Sequence, residues 1–182
     1  MEHKRNDKDF YVTPKETIEK LIQNYEIKPG MILEPCAGNG AICKELREIY
    51  DGTIDAVEIR PGERETLTQY CDDVYIMDFL DFANSHPGHY QTIITNPPYS
   101  IAEEIIRHCF KIAGPETEII MLLRLAFLES KKRKPFWREH PVTGLIPLSD
   151  RPSFTGKGTD RDAYGWFIWS RGAQQFVHVA CF

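Results

Sequence analysis

The 182 residues contain no apolar run near the ~20 consecutive side chains that a membrane-crossing helix needs. Met1 to Asn6 are polar and lead into no apolar signal-peptide core, so the expected setting is the cytoplasm. Cysteine is scarce: Cys36, Cys43, Cys71, Cys109 and Cys181 are odd in number and never form a C-x-x-C spacing. That excludes a disulfide framework and a zinc site, and no metal is expected. Internal repeats, low-complexity tracts and interdomain linkers are also missing, so residues 1–182 are expected to form a single domain.

What is present is a charge imbalance within an ordinary globular composition. Hydrophobic residues make up 42% and charged residues 27%, with a net charge of -5. Residues 1–123 carry 12 Lys/Arg against 22 Asp/Glu, whereas residues 124–161 carry 9 against 4. A basic segment on an acidic body can hold phosphates despite the negative total, because screening over ~8 Å makes local charge decisive. Lys131, Lys132, Arg133 and Lys134 are the densest part of that segment, and they equally suit a solvated helix face.

Helical and strand patterns alternate along the chain. Thr13–Tyr25 has helical spacing at Ile18, Leu21 and Ile22, with Thr13 as the expected N-cap before Pro14. Met31–Glu34, Thr53–Ile59, Val74–Met77, Thr92–Thr95 and Glu118–Leu125 read as strands. Helices are expected after Gly40, from about Glu63, at Ala102–Ile112 and at Lys131–Arg138. Gly144–Leu148 and Ala163–Trp169 read as two closing strands, and Phe176–Phe182 as a further one. This order, five β-α steps followed by two closing strands, predicts a doubly wound α/β sheet with a ligand crevice at its switch point.

The candidate binding residues all fall just after strands. Glu34-Pro35-Cys36-Ala37-Gly38-Asn39-Gly40 is a strand-to-helix turn whose glycines let backbone approach a ligand. A dinucleotide fingerprint would want a third glycine, and position 43 is Cys. Glu58, followed by Ile59, lies 20 residues beyond Gly38, where a carboxylate accepts ribose hydroxyls. Asp78 with Phe79 suits an adenine ring, and Glu34 an ammonium group. Singly, each acid is as readily a cap or a solvated charge. Three at successive strand ends suit a ligand with an amine, a ribose and an adenine, and without phosphate.

Asn96-Pro97-Pro98-Tyr99 follows the fourth strand and is the most specific motif. The prolines remove backbone donors and stiffen the turn. The Asn96 side-chain oxygen and the Pro97 carbonyl can each accept a hydrogen from one NH2 group. An exocyclic amine held by two acceptors becomes more tetrahedral and aims its lone pair at an electrophile. Tyr99 offers a flat face for a heterocycle. No tuned general base is required, since alignment can supply ~7–11 kcal/mol.

With these two motifs in this order, the chain resembles the amino-methyltransferases that use S-adenosylmethionine (SAM), and among them the N6-adenine DNA methyltransferases. The resemblance extends to Tyr11-Val12-Thr13-Pro14, similar to a segment those enzymes fold over the methionine part of SAM. It implies a seven-stranded, mostly parallel sheet with an antiparallel last strand, into which the two closing strands fit, and that Glu58 holds the ribose and Asp78 the adenine amino group. It also implies methyl transfer to adenine N6 in DNA. Arg151 to Gly156 is similar to a family segment whose aromatic residue packs on the target base. Phe154 and Tyr99 would then sandwich a flipped adenine, with Lys131, Lys132, Arg151, Lys157 and Arg161 following phosphates.

The pattern departs from the family in having no large target-recognition domain; 83 residues follow Tyr99 and most are needed for the sheet. Base reading would fall to loops, a recognition subunit or a second protomer of a homodimer. An exocyclic amine in RNA (adenine N6 or guanine N2) and a protein glutamine amide remain alternative acceptors, with cytosine N4 less favoured. A non-catalytic nucleic-acid-binding subunit is the alternative of another class.

Overall fold

In the computed structural model, the described residues are 11–86, 89–154, 158 and 160–170. Lys157 and the expected strand Phe176–Phe182 lie outside them.

Seven strands form one sheet: β1 (Ile32–Glu34), β2 (Ile54–Glu58), β3 (Asp73–Ile76), β4 (Thr92–Thr95), β5 (Glu118–Arg124), β6 (Gly144–Pro147) and β7 (Tyr164–Ser170). Their spatial order is β3-β2-β1-β4-β5-β7-β6. The first five run parallel, and β7 is antiparallel to both β5 and β6. The order reverses between β1 and β4, so Glu34 and Asn96 begin the two loops that open at the switch point. Ligands of open α/β sheets bind in that crevice.

Six helices flank the sheet among the described residues: α1 (Lys15–Asn24), α2 (Ala41–Arg47), α3 (Arg64–Leu67), α4 (Phe79–Ser85), α5 (Ala102–Ile112) and α6 (Lys134–Glu139). The strands divide their side chains between two cores by simple alternation. On β5, Ile120 and Leu122 join α1 and α2, whereas Ile119, Met121 and Leu123 join α4, α5 and α6. Complete burial of each such side chain contributes ~1.5–3 kcal/mol. The near-continuous apolar run of β5 therefore reflects cover on both faces. On α5, Ile105, Ile106, Cys109 and Ile112 form the buried stripe.

Several local expectations are corrected. The N-cap of α1 is Pro14, with no side-chain cap bond, because the Thr13 hydroxyl is turned away to another partner. Lys131–Arg138 is not one helix: Lys131–Arg133 is a 3-10 turn capped by Ser130, and α6 starts at Lys134. Helix α4 has no counterpart in the sequence-predicted elements. Its cap is Asp78, whose Oδ1 accepts the Leu80 N–H at 2.9 Å. Phe79, Phe82 and Ala83 then fall at helical spacing and are buried.

Candidate active site

The loops after β1, β2 and β4, together with residues 11 and 13 ahead of α1, enclose a cavity of about 340 Å³. Small-molecule sites occupy roughly 300–1,000 Å³. Of the sequence-predicted residues, Tyr11, Thr13, Glu34, Pro35, Cys36, Ala37, Gly38, Glu58, Ile59 and Phe79 line it. So do all four residues of the Asn96–Tyr99 motif. The Glu34–Gly38 turn and the Asn96–Tyr99 motif share one space because they follow β1 and β4, the two strands that meet at the switch point.

Three residues expected on the cofactor side stand back from the wall. Pro14 caps α1 and Gly40 caps α2. Gly38 and Gly40 have φ of 60° and 78°, left-handed values that favour glycine. A Cβ on Gly40 would also meet Leu67 Cδ2 at 3.0 Å. Asp78 is the third: it is absent from the cavity wall and caps α4, although its neighbours Met77 and Phe79 reach the wall. Phe79 is buried, and Ile59 is 42% exposed, an apolar surface open to a flat ring.

Glu58 is 6% exposed and its carboxylate is already engaged. Oε2 accepts the Gly38 N–H at 2.8 Å, and Oε1 accepts both the backbone N–H and the Nε–H of Arg60 at 2.9 Å. A carboxylate offers about four acceptor positions; three are filled from within the chain. Arg60 itself lines the cavity and pairs also with Glu63 at 3.5 Å. Sequence reasoning missed it, and its position two residues after Glu58 was the available signal.

Glu34 is 2% exposed, with Oε2 accepting the Cys43 N–H at 3.2 Å and the Cys43 thiol at 2.8 Å. Burial pushes its carboxyl well above the usual carboxylate range, against the opposing effect of the Cys43 bonds. Burial thus disfavours the charged form of a side chain that lies on the cavity wall.

At the end of β4, Asn96 is held at both ends of its amide. Nδ2 donates to Thr13 Oγ1 at 3.1 Å, and Oδ1 accepts the Tyr99 hydroxyl at 2.9 Å. Burial raises the Tyr99 phenol far above its ordinary range, so the hydroxyl stays protonated and able to donate.

Tyr99 belongs to an aromatic group with Tyr11, Phe154 and Tyr164. The Tyr11 and Tyr99 rings are stacked at 6.4 Å and 25°. Phe154 meets Tyr99 at 6.5 Å and 68°, edge to face, and meets Tyr164 at 5.1 Å. Phe154 therefore touches the Tyr99 ring, but the two rings form no parallel slot for a base. The expected sandwich requires one of them to turn.

Arg124, the last residue of β5, lies over the Tyr99 ring at 5.0 Å. Its Nε donates to the Tyr164 hydroxyl at 3.2 Å and lies 3.1 Å from Asp162. A charge closing the apolar run Ile119–Leu123 was the signal for this residue.

The expected phosphate-following residues lie apart from the cavity wall. Lys131 and Lys132 are exposed on the 3-10 turn beyond β5, and Arg151 and Arg161 are exposed on the connection from β6 to β7. Arg133 is tied inward, over the Phe127 ring at 4.1 Å. Among the described residues, no group of three or more His, Cys, Asp or Glu could hold a metal, and no helix is long and apolar enough to cross a membrane.

No protein-family model and no curated protein sequence matches the chain. Solved structures do. A Pyrococcus horikoshii protein assigned as an RNA methyltransferase aligns with TM-score 0.70 at 15% identity, over 92% of this chain and 91% of its own. Human methyltransferase-like protein 13, in complex with SAH, aligns with TM-score 0.57 at 19% identity, over 89% and 79%. The M protein of the type I restriction enzyme EcoKI aligns with TM-score 0.65 at 14% identity, over 91% of this chain and 44% of that one. The chain thus has the class I SAM-dependent methyltransferase fold and spans less than half the length of the M protein.

Proposed function

We propose that the chain transfers a methyl group from SAM to the exocyclic N6 amino group of adenine in DNA. The observation that carries this reading is the position of Asn96-Pro97-Pro98-Tyr99. The motif closes the same cavity as the glycine turn and Glu58, at the end of β4.

The donor set suits SAM. Glu58 meets the ribose, Ile59 and Phe79 flank the adenine, and Glu34 faces the ammonium group. Asp78 would read the adenine amino group only if its cap bond to Leu80 allowed. When bound, SAM supplies an electrophilic methyl group on a sulfonium sulfur. The remaining chemistry belongs to this chain. Asn96 Oδ1 and the Pro97 carbonyl accept the two amine hydrogens and so aim the nitrogen lone pair into the cavity. Tyr99 stacks on the heterocycle, which must leave its duplex to reach it. Alignment of the reacting groups supplies the catalysis.

Lys131, Lys132, Arg151 and Lys157 follow the phosphates in this reading. Site recognition falls to short loops, a second protomer or a recognition subunit. A second reading, an exocyclic amine in RNA, is favoured by the nearly full mutual coverage with the Pyrococcus protein.

The test is incubation with methyl-labelled SAM and unmodified duplex DNA or RNA, followed by nucleoside mass spectrometry. Labelled N6-methyladenine from DNA, lost in Asn96→Ala, supports the proposal. Label confined to RNA transfers the mechanism to the second reading. Label in neither overturns both.

A further inference from the structure

The amide of Asn96 can perform the proposed capture in only one of its two orientations. With Oδ1 forward it accepts an amine hydrogen; reversed, it presents an NH2 group to another NH2 group. The observed partners do not enforce the choice by number. Thr13 and Tyr99 both carry hydroxyls, which donate or accept. A reversed amide would therefore make the same count of bonds.

The chemistry of the two hydroxyls breaks that symmetry. A phenol oxygen shares its lone pair with the ring, so it donates more strongly and accepts more weakly than an aliphatic hydroxyl. Tyr99 is the phenol and donates to Oδ1 at 2.9 Å; Thr13 is the aliphatic alcohol and accepts from Nδ2 at 3.1 Å. An amide oxygen has two lone pairs. The Tyr99 bond uses one and leaves the other for the substrate amine. Thr13 is 7% exposed and caps nothing, although it immediately precedes the first residue of the α1 cap. Its hydroxyl spans 83 residues of sequence to reach the catalytic turn.

We propose that Thr13 is a positioning residue that, with the Tyr99 hydroxyl, polarises a three-residue clamp and holds the Asn96 carbonyl toward the acceptor amine. Tyr99 then serves twice, its ring as a stacking face and its hydroxyl as the donor that orients Asn96. The inference rests on the amino-methyltransferase reading for its consequence, but the clamp itself is a property of the free protein.

Two measurements on the full chain separate these levels. The first follows the side-chain NH2 signals of Asn96 by 15N NMR, identified by their loss in Asn96→Ala. In the wild-type protein these protons should exchange slowly with solvent. Thr13→Val should accelerate exchange at least about tenfold, and Thr13→Ser should restore it. The second is steady-state methylation. Thr13→Val should lower kcat about tenfold with the nucleic-acid KM within about twofold, and Thr13→Ser should return kcat to within about twofold of wild type. Tyr99→Phe, which keeps the ring, should lower kcat in the same way without a matching rise in KM.

Unchanged NH2 exchange and unchanged kcat in folded Thr13→Val overturn the clamp. Failure of Thr13→Ser to restore either quantity also overturns it. If Thr13→Val does not fold, Thr13→Ala removes the same hydroxyl and carries the comparison against Thr13→Ser. A wild-type protein that methylates neither DNA nor RNA defeats the functional reading alone, since the exchange measurement still decides the clamp.

Discussion

The guanidinium Nε of Arg60 lies 2.9 Å from Oε1 of Glu58, on the carboxylate proposed to receive the ribose. With the Gly38 and Arg60 backbone amides also bound there, two ribose hydroxyls find one open acceptor position. The Arg60 side chain must therefore swing out when the nucleoside enters. Arg60→Leu should tighten SAH binding by about threefold to tenfold, because a hydrogen bond to a charged group no longer has to be broken. Calorimetry checks this; weaker binding would mean that Arg60 holds Glu58 in place for the ligand.

Glu34 carries a pH dependence whose sign follows from its burial. Its folded-state carboxyl is raised above the ordinary value, so it stays protonated where the unfolded chain has already ionised. The associated stability is present at acid pH and is lost as pH rises toward the folded value. Glu34→Gln keeps an acceptor for Cys43 and removes that slope. Its melting temperature, measured against wild type between about pH 5 and about pH 8, should gain several degrees at the alkaline end. Parallel curves for the two proteins would show that Glu34 is ionised in the fold.

Arg124 links the acceptor side of the site to β7. Its guanidinium stands over Tyr99 and its Nε reaches the Tyr164 hydroxyl. A cation over an aromatic face contributes ~0.5–2 kcal/mol. Arg124→Leu should then raise the nucleic-acid KM about threefold to tenfold, with SAH affinity unchanged. Arg124→Lys should restore little, since a point charge does not replace a planar fork bonded at its edge. Equal losses in both affinities would instead indicate general damage to the sheet edge.

Lys131 and Lys132 are exposed on the turn after β5. As phosphate contacts they should each contribute about 0.9 to the slope of log affinity against log salt for duplex DNA. Lys131→Ala with Lys132→Ala should lower that slope by about 2 and weaken DNA of every sequence alike. An unaltered slope would assign these lysines to a solvated surface.

Much of the fold was legible because its signals are local. Strands appear as short apolar runs, and those of β1, β2 and β4 lead into turns containing Gly or Pro. The motifs at residues 34–40 and 96–99 fall where strand order puts the open edge. Helix α4 was legible too, at Phe79, Phe82 and Ala83, but only if Asp78 is read as a cap; treated as a ligand, it conceals the helix it starts.

The sequence by itself determined the strands, most of the helices between them and the two motifs, since periodicity and turn chemistry act over a few residues. Only the tertiary structure decided which hydroxyl meets Asn96, that Arg60 fills Glu58, and that Phe154 stands edge-on to Tyr99. Thr13 and Asn96 are 83 residues apart, and Arg124 and Tyr164 are 40 apart. No local pattern encodes such pairs. They arise when packing both faces of the sheet brings separate strand ends to one edge, where each buried polar group must find a partner.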